Sequence, residues 1–102
     1  MPLGVMGGQY QPCGHIRVLS NLVDYGMDIQ AALDGPRSFA EGDILNVEPS
    51  YDPEVVQGLL DLGHDINQNM PPIGGAQAIL ENSDGFLVGG SDPRKDGCAI
   101  GY

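Results

Sequence analysis

Apolar residues in this chain fall into short segments separated by glycine and proline, and the spacing within each segment predicts its element. Leu3 to Met6 is a brief apolar run of strand type, stopped by Gly7-Gly8. From Pro12 onward, Ile16, Leu19, Leu22 and Val23 recur at helical spacing. Pro12 suits a first helical turn and Gly26 the left-handed position after the last, which predicts a helix over roughly residues 12 to 25. Asp28 can cap a second, shorter helix through Ala31, Ala32 and Leu33, which Gly35-Pro36 must end. Asp52-Pro53-Glu54 opens a third with a cap residue, a proline in the first turn and an acid near the positive end of the dipole. Val55, Val56, Leu59, Leu60 and Leu62 supply its apolar side, and Gly63 closes it.

Strands fill the remainder. Ile44 to Glu48 alternates, and Ala76–Leu80 followed by Phe86–Val88 predicts a hairpin around Asn82-Ser83-Asp84-Gly85. Cys98 to Tyr102 is expected to be another short strand. The mixture is α+β, or a piece of a layered α/β sandwich. The chain starts within a residue or two of one strand and stops with another, so it is expected to be part of something larger whose other half supplies missing sheet neighbours.

Composition narrows the function. The 102 residues predict one domain, 1–102. Four basic residues against 14 acidic ones leave a net charge of −10, the wrong sign for a nucleic-acid surface. No apolar stretch is long enough for a membrane span or a signal-peptide core, so neither a nucleic acid nor a membrane is an expected partner. Compartment is left open. The 16 glycines and 8 prolines punctuate segments without any repeat. Cys13 and Cys98 form no metal pattern and no disulfide framework, and a single bridge between them stays open.

Few residues offer chemistry. Gly7-Gly8 at a strand-to-helix junction leaves bare N–H groups that suit an anion, or the oxyanion of acyl transfer if a nucleophile stands opposite. A plain tight turn explains the same dipeptide. The loop Gly89–Gly97 lacks the Gly-Lys-Ser/Thr of a phosphate loop, the alternating oxygens of a calcium loop and the flanking glycines of a nucleophile elbow at Ser91. Asp92 and Arg94 are instead expected to organise that loop by hydrogen bonds and an ion pair. His15 and His64 have no ligand or catalytic partner at suitable spacing, and the serines at 20, 38, 50, 83 and 91 have no recognisable base. No cofactor or metal is expected. The chain contains no threonine.

Taken in order, Met6-Gly7-Gly8-Gln9-Tyr10-Gln11-Pro12, Asn21–Met27, Ala32-Leu33-Asp34-Gly35-Pro36-Arg37, Val47-Glu48, Leu62-Gly63-His64, Gly74–Ile79, Gly90–Arg94 and Gly101-Tyr102 resemble the C-terminal part of the small subunit of gamma-glutamyltransferases. The resemblance implies an N-terminal-nucleophile hydrolase fold, an αββα sandwich whose antiparallel sheet carries helices on one face. It implies a precursor that cuts itself in two, a threonine that attacks the γ-glutamyl carbonyl of glutathione-type donors, and acyl transfer to water or an amine. Gly7 and Gly8 would then be the oxyanion-hole residues. The family's threonine and its glutamyl-gripping residues match nothing here, so the chain alone is expected to be inactive. An uncovered sheet edge or face gives a second expectation, a structural module that pairs with an upstream chain or forms a homo-oligomer. A third, weaker one is a small-ligand protein holding a carboxylate at Gly7-Gly8; without cationic partners such binding in water is weak.

Overall fold

The computed structural model describes all 102 residues. They form two compact units, Met1–Gly35 with Gly74–Tyr102, and Pro36–Ile73.

The first unit is an antiparallel sheet of β1 (Leu3–Met6), β5 (Gly75–Glu81) and β6 (Leu87–Ser91) in the order β1-β5-β6, with helices α1 (Gln11–Val23) and α2 (Ile29–Asp34). β1 pairs from Leu3↔Ala78 to Met6↔Gly75, and β6 pairs from Gln77↔Ser91 to Glu81↔Leu87. The turn between β5 and β6 is held by Asn82, whose side-chain oxygen accepts from the N–H groups of Asp84 and Phe86, while Gly85 takes φ +82°. Alternation puts Val5, Ala76, Ala78 and Gly90 on one buried face, against which both helices pack. Gly14 of α1 sits against Val5, and Gly90 against Leu33 and Ile29 of α2, so small residues let the two layers approach closely.

Local signals set the helix ends. Asp28 accepts from the Ala31 N–H at 2.8 Å, Gly26 takes φ +63° after α1, and Gly35 with Pro36 stops α2. The expected inner side of α1 is corrected. Ile16 and Val23 are 69% and 78% exposed and Leu19 is exposed too, whereas Gly14, Val18 and Asn21 are buried. Close packing selects the side with room for Val5, and Asn21 is satisfied there by donating to the Ala32 carbonyl at 3.2 Å. The expected strand at Cys98–Tyr102 is also absent. Its residues run beside the opposite sheet face, with Ala99 over Gly89, and line a groove with Gly4, Gln77 and Ile79 rather than extending a ladder.

The second unit holds β2 (Ser38–Glu41), β3 (Ile44–Val47), α3 (Pro53–Asp61) and β4 (Asp65–Asn67), in sheet order β2-β3-β4. β2 and β3 are antiparallel about a two-residue loop begun by Gly42 at φ +59°. β3 and β4 are parallel, which requires the crossover that α3 provides. Asp52 caps α3 by accepting from the Glu54 N–H at 3.0 Å, and Gly63 follows its end at φ +96°. Of the apolar side predicted for α3, Val56 is buried while Val55, Leu60 and Leu62 are exposed.

Glu48 closes this unit. One carboxylate oxygen accepts from the Arg37 N–H at 2.7 Å and the other from the Ile73 N–H at 3.0 Å. Arg37 in turn donates from its guanidinium to the Ile73 carbonyl at 3.0 Å. Arg37 is 1% exposed and Glu48 5%, so no solvent can replace a lost partner. Removing one side of a buried charged network costs roughly 3–5 kcal/mol. Glu48→Ala is therefore expected to lower unfolding free energy by about 3 kcal/mol or more in urea titrations. A loss under about 1 kcal/mol, the scale of an exposed pair, would show the clamp to be dispensable.

Candidate oxyanion corner

The diglycine junction leaves β1 in a conformation that side chains resist. Gly7 has φ +141° and Gly8 φ +58°. The chain then makes one 3-10 turn, Gly8–Tyr10, before α1 begins at Gln11 with Pro12 in its first turn. The Tyr10 N–H donates to the Gly7 carbonyl at 3.1 Å and the Gln11 N–H to the Gly8 carbonyl. These bonds use carbonyls and leave the Gly7 and Gly8 N–H groups without a main-chain acceptor. Both glycines are exposed, and no atom lies within 4 Å of where a Gly8 Cβ would sit. The unbonded donors stand at the positive end of a helical segment, where negative charge is favoured.

The support beneath the corner is as particular as the corner itself. Tyr10 is 4% exposed, and its ring fills space that three glycines leave free. A Cβ built on Gly14 would lie 2.8 Å from Tyr10 Cε1, one on Gly74 2.9 Å from Cδ1, and one on Gly7 3.3 Å from Cδ1. Gly74, at φ +67°, also brings its Cα to 3.2 Å from that Gly7 position. Sequence reasoning missed the 3-10 turn, Tyr10 and Gly14 as parts of the corner, and placed Gly74 only within a family motif. Glycines far apart in sequence around one aromatic carry no local periodicity.

Asp92 and Arg94 organise their loop, as expected, through a 3.1 Å ion pair with side chains 0% and 8% exposed. They also reach further than the sequence indicated. The other Asp92 oxygen accepts from the Ala76 N–H at 2.8 Å, and Arg94 donates to the carbonyls of Leu33 and Gly35 at 2.9 and 2.8 Å. Gln30 bonds both the N–H and the carbonyl of Ser91, at 3.1 and 2.8 Å. Since Ala76 pairs with Val5, this network holds the sheet next to the β1 end from which the corner departs. The serine hydroxyl at 91 is buried without a partner. The other candidates stay apart. His15 Nδ1 bonds the Gln11 carbonyl at 2.7 Å along its own helix, His64 is exposed, and Cys13 and Cys98 are free, exposed thiols. No helix is long and apolar enough to cross a membrane.

The fold places the chain among the N-terminal-nucleophile hydrolases. It superposes on a cephalosporin acylase from Bacillus halodurans with a TM-score of 0.87 at 39% identity, over 99% of this chain and 20% of that one. A gamma-glutamyltranspeptidase from Pseudomonas nitroreducens shares the fold, with a TM-score of 0.87 at 24% identity, over 98% of this chain and 54% of that one. The gamma-glutamyltranspeptidase family model matches residues 1–102, and the chain belongs to that family. Among its relatives, the glutathione hydrolase-like YwrD proenzyme of Bacillus subtilis is 36% identical over 96% of this chain. An acylase ACY 1 proenzyme of Pseudomonas sp. strain V22 is 34% identical over 83%. The chain spans only 20% and 15% of the length of these two proteins.

Alanine substitutions at the corner should separate conformational from steric cost. Gly8→Ala meets only the left-handed penalty, roughly 1–2 kcal/mol. Gly7→Ala adds contact with Tyr10 and Gly74, and Gly74→Ala drives a methyl to 2.7 Å from the Met6 carbonyl oxygen. Destabilisation in urea titrations is expected to rise in the order Gly8, Gly7, Gly74, and the reverse order would contradict this geometry.

Proposed function

We propose that this chain carries the oxyanion side of a γ-glutamyl-type acyl-transfer site, and that the attacking hydroxyl comes from a segment other than these 102 residues. The observation that supports it is the pair of exposed, unbonded N–H groups at Gly7 and Gly8, in a polypeptide without threonine. In this reading a hydroxyl oxygen attacks the amide carbonyl carbon, and the displaced π electrons settle on the carbonyl oxygen, where Gly7 and Gly8 donate. The hydroxyl proton passes to the amide nitrogen, collapse re-forms the carbonyl as the C–N bond breaks and the amine leaves, and water or an amine then attacks the ester, taking the acyl group and returning a proton to the hydroxyl. Loss of one oxyanion donor costs about 10²–10³ in turnover in enzymes of this type. Relatives named as glutathione hydrolase-like and as acylase fit such amide chemistry.

Two measurements test the proposal. The purified polypeptide should show no steady release of the chromophore from a γ-glutamyl anilide, and sustained turnover would defeat the claim that the nucleophile lies elsewhere. In heteronuclear NMR spectra, inorganic phosphate at tens of millimolar should shift the Gly7 and Gly8 amides and few others. Unshifted Gly7 and Gly8 amides would remove the donor reading.

A second reading concerns assembly, and the outward stripe of α1 favours it. Ile16, Leu19 and Val23 face solvent together, an apolar surface that suits a partner chain or a second copy. Sedimentation of the polypeptide alone is expected to show concentration-dependent self-association; a single monomeric species at high concentration would count against the homo-oligomer.

A further inference from the structure

Tyr10 stands out among the buried groups of the first unit because three glycines, on β1's exit, on α1 and before β5, converge on one ring. We propose that Tyr10 is the positioning residue of the oxyanion corner: its ring, seated against Gly7, Gly14 and Gly74, sets the orientation of the Gly7-Gly8 peptide and hence the aim of both donors. The inference rests on the reading of Gly7 and Gly8 as oxyanion donors and adds a cause for their geometry.

The need for such a device follows from the backbone. Two successive residues without Cβ atoms have wide conformational freedom, and the Gly7 and Gly8 amides have no main-chain acceptor to restrain them. Only the carbonyls are tied, one of them by the Tyr10 N–H itself at 3.1 Å. Tyr10 therefore holds the corner twice, by its main chain to the Gly7 carbonyl and by its ring against the Gly7 Cα. Gly74 completes the clamp from the other side, its Cα 3.2 Å from where a Cβ on Gly7 would sit. Any Cβ on Gly14 or Gly74 would displace the ring. A preorganised donor pair does not have to be reoriented as charge develops, and this is how such donors contribute to rate.

Backbone ¹⁵N relaxation on the full chain tests the inference. Tyr10→Leu should loosen Gly7 and Gly8, lowering their order parameters from about 0.85 to below about 0.6, while β5 and β6 keep theirs. Tyr10→Phe keeps the ring and should restore native values. Val18→Ala, a buried change one turn further along the inner face of α1 and away from the Tyr10 ring, serves as the comparison: it should reduce stability without loosening the corner. Unchanged corner order parameters in folded Tyr10→Leu, or equal loosening in Val18→Ala, would overturn the proposal. In the native chain, nuclear Overhauser contacts from the Tyr10 ring protons to the α-protons of Gly7, Gly14 and Gly74 are expected. Their absence would overturn it even if the leucine variant does not fold. The phosphate titration decides whether the glycines are donors, and the order parameters decide what Tyr10 does, so either can fail alone.

Discussion

The absence of a Cβ at a few chosen positions is the constraint on which this structure rests. At Gly7 and Gly8 it permits positive φ, which turns two N–H groups outward where a strand meets a helix. At Gly14 and Gly74 it makes room for the ring of Tyr10, and at Gly90 for Leu33 and Ile29. Substituted residues at these places would push the layers apart or rotate the corner, so the packing and the shape of the corner depend on the same missing atoms.

Buried carboxylates do the complementary task of fastening. Asp92 in the first unit accepts the N–H of Ala76, 16 residues away, as well as that of Arg94 in its own loop, Glu48 in the second accepts those of Arg37 and Ile73, and each is associated with an arginine that donates to carbonyls. An ionised acceptor strengthens such bonds and holds short strands that have few ladder contacts of their own. A chain with many glycines has much conformational entropy to lose on folding, and these charged clamps offset part of it where the apolar core is small.

Helix ends and turns were legible in the chain, because their causes lie within four residues. Asp28 and Asp52 cap, Gly26 and Gly63 take positive φ, and Asn82–Gly85 turns, each as its chemistry dictates. Position inside the fold was not legible in the same way. The apolar stripe of α1 is real, yet its outer half faces solvent because the inner side was selected by close approach to Val5. β2 and β4, strands of four and three residues, went unread in the sequence and form by pairing with β3. Cys98–Tyr102 has strand composition but lies across a sheet face, where no ladder forms.

The sequence by itself determined the family, the three helices, the β5–β6 hairpin, the diglycine junction and the absence of a threonine. Tertiary structure alone decided that the Tyr10 ring packs among Gly7, Gly14 and Gly74, that Glu48 joins Arg37 to Ile73, and that Asp92 reaches Ala76. The physical reason is range. Propensity, capping and backbone chirality act between neighbours along the chain, whereas volume exclusion and burial of charge act between groups that meet only after the chain has folded.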